Sequence, residues 1–423
     1  MSDRGGSLAQ PAVCSPQRDG HESKGSSKRI HQKPITDKIH ISRHARPTAP
    51  RGTCAESLQP AKLPHVGNLA EPSAIHQNGQ MPHPYPIREI ARQSGLSEAT
   101  VDRVLNKRPG VRPSTAANVA QAIADLDRQR SQLRLSGRTF LVDLVMQTPD
   151  RFSSAVRSAL ELELPMLRPA VVRSRFDFRE TAQPGELVRT LDDIRRRGSM
   201  GVILKAPDEP EISDAIGRLH DSGIPVVTLV TDIPLSPRVA YVGMDNRAAG
   251  ATAAYLIDQW LTAGDDAVLM ALSRSAFRGE EEREMGFRAT MRERAGGRTL
   301  IEATDTDGID TAVRDQTISL LRDHPGITAV YSIGGGNKAI LEAFELMGRP
   351  CRVFIAHDLD RDNLSLIQDR KITAVLHHDL RHDMRRACRV IMQASGALDG
   401  PIESIPSQIN IITPYNVPSQ PLL

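Results

Sequence analysis

The stretch IREIARQSGLSEATVDRVLN, from Ile87 to Asn106, organises the front of the chain. Pro86 suits a first helical turn, and Ile87, Ile90 and Ala91 then share one helical face. Gly95 breaks the run and Leu96 is the apolar residue of the turn. Ser97 is a good N-cap type, because its hydroxyl can accept from a free backbone N–H. It opens a second helix, Ser97–Leu105, whose inward face is Val101, Val104 and Leu105. Asn106 to Gly110 carries turn chemistry. Ser114 predicts the cap of a third helix, in which Ala117, Ala120, Ile123 and Ala124 keep helical spacing through to Leu126. Three short helices with a glycine turn between the first two make a helix-turn-helix layout, which other small helical bundles share.

Outward from this stretch the chain changes character in both directions. Residues 1–80 are rich in Gly, Pro, Ser, Gln and His, with apolar residues scattered without period. Such a segment cannot offset its chain entropy by burial, so it reads as a disordered extension. Two readings of it compete: a basic tail adding nonspecific DNA affinity, or an annotated start that precedes a true start at Met81. The net charge of +3 conceals an asymmetry. Residues 1–80 hold eleven Lys/Arg against six Asp/Glu, and residues 81–137 hold nine against five, which leaves −6 for the remainder. A basic front on an acidic body suits a nucleic-acid contact confined to one end.

The cysteines, Cys14, Cys54, Cys351 and Cys388, form neither a disulfide framework nor a zinc-finger spacing, which fits a reducing cytoplasm. There is no apolar run of transmembrane length and no apolar core of a secretory signal. No cofactor or metal is expected.

After Gly137 apolar strands alternate with amphipathic helices. The expected strands are Thr139–Met146, Val171–Phe176, Met200–Lys205, Pro225–Val230, Ala267–Leu272, Leu300–Ala303, Ala329–Ile333, Val353–Ala356 and Ile372–Leu376. Helices between them include Glu186–Arg197, Asp214–Ser222, Arg247–Leu261, Glu281–Arg294, Asn337–Met347 and Arg381–Gln393. This alternation implies parallel sheets covered on both faces. So many strands suit two α/β lobes, with a ligand cleft between them at the carboxyl ends of the strands.

The Ile87–Asn106 stretch resembles the head of the LacI–GalR family of bacterial regulators, whose pattern is roughly I-x-x-I-A-x-x-x-G-V-S-x-x-T-V-S-R-V-L-N. The body resembles that family's periplasmic-binding-protein-like domain through Tyr241-Val-Gly-Met-Asp-Asn246 with Ala249-Gly250, Arg283-Glu-Met-Gly-Phe287, and His357-Asp358. The resemblance spans residues 86–415. It leaves residues 1–80 unaccounted for, so that the extension (1–80) read from composition precedes an implied helix-turn-helix head (81–126), hinge (127–137) and two-lobed effector and dimerisation domain (138–423).

The resemblance places Glu98, Ala99 and Arg103 at the base edges of a major groove. A carboxylate can accept from cytosine, a methyl can pack on thymine, and a guanidinium can pair with guanine. Ser97 and Thr100 suit phosphates, and Asn106, which closes the helix, is counted with them as a DNA-binding residue. The hinge departs from the family, lacking the usual proline and two residues of length. Leu135 matches its minor-groove wedge; alternatively Leu133 and Leu135 pack between protomers. For the effector, the implied contacts are Phe152, Asp232, Phe277, Arg283, Asn337, Asp358 and His377.

Three other motifs are set aside. Gly334-Gly-Gly-Asn-Lys338 fails the phosphate-loop pattern. His377, His378 and His382 lack an acidic metal-ligand set. Ser236 and Ser332 have no triad partners.

The expectation is a cytoplasmic, nucleoid-associated homodimer that binds operator DNA as a repressor, responds to a sugar-like effector, and is not an enzyme. Two rivals stand beside it. A periplasmic-type sugar-binding protein would need a leader and no head, and a helix-turn-helix fused to a sugar-modifying enzyme would need an acid–base or metal constellation.

Overall fold

The computed structural model describes residues 83–261, 266–273, 276–295 and 298–418. The expected N-terminal extension and the Met81 start lie outside the described residues. The head comprises α1 (Ile87–Ser94), α2 (Glu98–Leu105) and α3 (Pro113–Leu135). Gly95 ends α1 in the left-handed region at φ 69°, and its N–H reaches Ala91 O. Glycine adopts that conformation at little steric cost. Ser97 caps α2 as its side-chain chemistry predicts, accepting the Thr100 N–H at 3.2 Å.

The third helix departs from expectation in three ways. Its N-cap is Arg112 and Pro113 occupies the first turn, so Ser114 lies inside the helix instead of capping it. Proline's fixed φ decides the start. Its buried residues in the head are Val119, Ala122 and Leu126, offset from the expected alanine-rich face. Alanine favours helix without choosing a side, so the bulkier Val119 and Leu126 set the buried stripe. Finally, α3 continues past Leu126 to Leu135, so the segment expected as a hinge is almost wholly helical. Asp127–Leu135 contains neither proline nor glycine to stop it. Tyr85, Ile90, Ala91 and Val101 complete the small head core. The Tyr85 hydroxyl donates to Asp127 at 2.7 Å, fastening the entering chain to α3.

The body begins with β1 (Thr139–Gln147), α4 (Asp150–Glu163), a 3-10 turn at Leu164–Leu167 and β2 (Val171–Arg179). It continues with α5 (Pro184–Arg197), β3 (Gly201–Lys205), α6 (Pro210–Asp221), β4 (Val226–Leu229) and β5 (Ala240–Val242). Next come α7 (Asn246–Trp260), β6 (Ala267–Ala271), α8 (Arg278–Ala295), β7 (Leu300–Ala303), α9 (Asp310–Asp323) and β8 (Ile327–Ser332). The last elements are α10 (Asn337–Leu346), β9 (Val353–His357), α11 (Arg361–Gln368), β10 (Ala374–His377), α12 (Leu380–Ala394) and β11 (Asn410–Ile412). Every predicted strand is present with small shifts of boundary, whereas the three-residue strands β5 and β11 were too short to leave a periodic signal.

Two sheets form. The first has the order β2-β1-β3-β4-β5 and the second β11-β10-β9-β8-β6-β7. All pairings are parallel except β10 with β11. Strand β3 is buried at four successive residues, as a strand covered on both faces must be. Apolar side chains of α4 and α12 pack on one face of the first sheet, and those of α5 and α6 on the other. The second sheet is covered by α9, α10 and α11 on one side and α7 and α8 on the other.

Helix α12 follows the second sheet in sequence yet packs into the first lobe, where Met384, Ala387 and Ile391 join the core containing Phe140 and Val142. Glu163 of α4, fully buried, accepts from Arg381 at 2.8 Å and Arg385 at 2.7 Å on α12. The chain therefore passes between lobes after β5, after β10 and after α12.

Candidate functional site

The head places its chemistry on the outer side of α2. Val101 is buried, while Ser97, Glu98, Ala99, Arg103 and Asn106 are exposed and Thr100 is half-buried. Ala99 and Arg103 stand one turn apart, so a methyl and a guanidinium share a face. Glu98 stands one turn from Asp102, which binds Arg108 at 3.2 Å. The Ser97 and Thr100 hydroxyls are 2.8 Å apart at the helix N-terminus. The Asn106 amide turns back to Asp102, donating to its carboxylate at 2.7 Å, and so acts as a C-terminal clasp. Among the described residues Arg103 makes no ion pair, which leaves it free for a partner.

The wedge expectation is corrected here. Leu135 is buried and belongs to the first-lobe core with Phe140, whereas Leu133 is 78% exposed. Continuation of α3 turns Leu135 inward and Leu133 outward. Arg134 adds an ion pair to Asp399 at 2.6 Å. In this conformation α3 is one continuous element from the head core to the core of the body.

The cleft lies between the lobes, at the carboxyl ends of the strands. In each sheet it coincides with the reversal of strand order, at β1 beside β3 and at β6 beside β8. This is the switch point at which parallel sheets leave a crevice. Its empty volume, open mouth included, is ≈ 760 Å³. The first lobe contributes Gln147, Arg151, Phe152 and Lys205; the second contributes Phe277, Glu280, Arg283, Gly334, His357 and Asp358.

Two glycines position Arg283. A Cβ on Gly250 would lie 1.8 Å from Arg283 O, and one on Gly286 would lie 2.0 Å from Arg247 O. Only bare backbone lets α7 and α8 approach so closely. Arg283 is 4% exposed; its Nε donates to Asn246 Oδ1 at 2.8 Å, while Nη2 has no partner. Gly334 has a similar role, since a Cβ there would meet Ser273 N at 2.1 Å. The glycine run thus serves close packing at the cleft wall.

Asp358 and Val230 both line the cleft with φ near 60°, at 62° and 66°. Such a value is costly for β-branched Val230 and uncommon for Asp358, and it persists where surrounding bonds enforce it. The Asn363 amide enforces the first, donating to His357 O at 2.8 Å and Asp358 O at 2.7 Å. The Asn246 amide and Tyr241 hydroxyl hold Val230 O at 3.0 and 3.2 Å.

Beside Asp358 lies fully buried His378, with Nε2 3.4 Å from Asp358 Oδ1 at ion-pair distance but without hydrogen-bond geometry. Its Nδ1 bonds to Asp383 on α12, and the Ser407 hydroxyl bonds to the same carboxylate. Burial alone would lower the imidazole, but the two carboxylates override it and push it up to about 9. Burial would likewise raise Asp358, yet His378 and Arg283 hold its carboxyl well below the usual range. His357 is held well below its usual value by burial and Arg283; its Nε2 meets the Tyr331 hydroxyl at 2.8 Å.

Of the expected effector contacts, Phe152, Phe277, Arg283 and Asp358 converge on the cleft, and Asp232, Asn337 and His377 do not line it. Asp232 is held by Arg238, by the Thr228 hydroxyl at 2.7 Å and by the Ile233 N–H at 2.8 Å, because the following loop folds back on it. Asn337 donates to Asn363 behind the cleft wall. His377 accepts the Leu359 N–H at 3.2 Å, and its neighbour His378 turns to Asp358 instead. Successive side chains at a strand end face opposite ways, so a one-residue step changes the contact.

Gln147, Arg151, Lys205 and Glu280 were not anticipated. Gln147 and Lys205 did carry a signal, being polar residues at the ends of largely apolar strands. Among the described residues no group of three or more His, Cys, Asp or Glu could hold a metal ion, and no helix is long and apolar enough to cross a membrane.

Residues 144–398 match the periplasmic binding protein domain family, and residues 86–130 match the bacterial regulatory proteins of the lacI family. The chain is 27% identical over 285 residues to the HTH-type transcriptional regulator reg1 of Streptomyces lividans, covering 64% of this chain and 71% of that one. It is 30% identical over 220 residues to the HTH-type transcriptional regulator MalR of Streptomyces coelicolor, covering 50% and 60%. Among solved structures, the glucose-galactose binding protein GanP of Geobacillus stearothermophilus overlays with a TM-score of 0.58 at 22% identity, covering 66% of this chain and 99% of that one. A solute binding protein from Burkholderia graminis, in complex with D-arabinose, gives 0.58 at 20% identity, covering 68% and 98%.

Proposed function

The chain belongs to the lacI family of bacterial regulatory proteins, and we propose that it is a sequence-specific, homodimeric transcriptional repressor controlled by a small sugar-like effector. Two heads read the halves of a roughly palindromic operator, because two-fold protein symmetry is mirrored in the DNA. On each head, Arg103, Ala99 and Glu98 read base edges, while Ser97 and Thr100 hold phosphates. The effector sits between the lobes against Phe152, Phe277, Arg283 and Asp358. Its binding shifts DNA affinity to the extent that it prefers one lobe arrangement over another. The protein works in the cytoplasm on nucleoid DNA and performs no catalysis.

The observation that carries this reading is the continuity of α3, which joins an exposed reading helix to the lobe that walls the cleft. A transport protein has no use for such a head, although the body alone shares the fold of solute-binding proteins. Selection from random duplex DNA with the full chain tests it. A two-fold symmetric site should emerge, and Arg103→Ala should weaken it. Absence of any enriched sequence would remove the regulator reading.

A further inference from the structure

Inside the cleft, charges are unequally satisfied. Glu280 accepts from the Ser273 N–H at 2.7 Å and from its hydroxyl. Asp360 faces Arg151 at 3.4 Å and caps α11 through the Asp362 and Asn363 N–H groups. Glu180 accepts the Asp150 N–H at 3.0 Å, and Asp358 is matched by His378.

The cations of the inner wall differ. Among the described residues neither Lys205 nor Arg283 has a carboxylate within ion-pair reach. Lys205 Nζ has only the Gln147 carbonyl at 3.1 Å and the face of the Phe277 ring, 4.2 Å from its centroid. Arg283 has one amide oxygen and a distant carbonyl at 3.4 Å, with Nη2 orphaned. A buried cation without an acid is unfavourable unless something supplies the charge.

Nearby, both polar atoms of the Gln147 side chain, itself 1% exposed, lack hydrogen-bond partners, and Asp358 Oδ1 has the ion pair to His378 but no hydrogen bond. These atoms call for an occupant that both donates and accepts hydrogen bonds, which is hydroxyl chemistry. We propose that the effector is a sugar-sized polyhydroxyl compound bearing an anionic group, a carboxylate or a phosphate, which sits against Lys205 and Arg283 while its hydroxyls engage Gln147 and Asp358. This inference rests on the reading of the cleft as the effector site and narrows its ligand class. Burial lowers the Lys205 ammonium to about 8, with Arg283 opposing its charge and Glu280 and Asp358 supporting it. An anion delivered between the two cations relieves that opposition.

The test uses matched compounds differing in charge: D-galacturonate with D-galactose, D-gluconate with D-glucitol, and D-glucose 6-phosphate with D-glucose. Binding to the full chain is measured by titration calorimetry at pH 7. In at least one pair the anionic member should bind about tenfold tighter or more. Lys205→Gln should erase most of that advantage, lowering affinity for the anionic member more than for its neutral partner. The carboxylate and phosphate arms identify which anion is used. A thermal melt of the variant verifies that it is folded.

Equal or tighter binding of the neutral members overturns the proposal, as does failure of every anionic compound to bind. An anionic preference that survives Lys205→Gln also overturns it. A chain that still selects a symmetric operator after such a failure keeps the regulator reading and loses only the ligand class. A chain that binds anionic sugars but selects no DNA loses the regulator reading and keeps the ligand class.

Discussion

The head and the cleft are built on opposite plans. The exposed face of α2 comes from consecutive residues, from Ser97 to Arg103, held out by a core in which Val101 is its one fully buried side chain. The cleft draws on residues that end β1, β3, β6, β8 and β9, so no short stretch contains it. The head exposes its chemistry on one helix. The cleft buries its chemistry and leaves Gln147, Arg283 and Asp358 with unmet bonds for a ligand to fill. In the proposed function, one surface reads a partner larger than itself and the other encloses one smaller.

The largest effect on this contrast should come from Val101→Asp. A buried carboxylate in so small a core costs on the order of several kcal/mol. Operator binding should vanish by fluorescence anisotropy while the main calorimetric transition of the body stays in place. A lowered body transition would show that the head is not separable. Next is Arg103→Ala, expected to cost about 1–3 kcal/mol of operator affinity and to relax preference at one base pair. A uniform loss across all operator variants would mean that Arg103 touches phosphate alone.

A smaller effect concerns pH. His378 faces Asp358 and Asp383, with His357 and His377 also near it. Its folded pKa of about 9 exceeds the unfolded value of about 6.5, so its stabilisation is complete below the latter and lost as pH rises through the former. The melting temperature should therefore fall between pH 7 and pH 9.5 more steeply in the wild type than in His378→Gln. Equal slopes would mean that the buried imidazolium does not form. Smallest is Ser97→Ala, which removes the α2 cap and should cost about 1 kcal/mol of head stability, visible as faster amide exchange in α2. Unchanged exchange would assign Ser97 to DNA contact alone.

Legibility in the sequence followed the same division. The turn at Gly95 and the cap at Ser97 depend on residues within one or two turns, and local chemistry revealed them, while the family resemblance singled out Glu98, Ala99 and Arg103. The strands of the body were equally readable, being apolar runs bounded by polar ends. Leu135 was not, because whether it wedges or packs depends on how far α3 continues, and the body core captures it. Asp232 and His377 failed for a related reason: a folded-back loop ending in Arg238 and a one-residue change of face at β10 are tertiary facts. Lys205 went unnoticed because its significance lies in Phe277 and Arg283, more than seventy positions away in the chain.

The central claim is that the cleft governs the head through α3. The direct measurement is the affinity of the full chain for its selected operator, with and without a sugar shown by calorimetry to fill the cleft. Coupling predicts a change of about fivefold or more, equivalent to about 1 kcal/mol. An operator affinity unchanged at saturating ligand would contradict it.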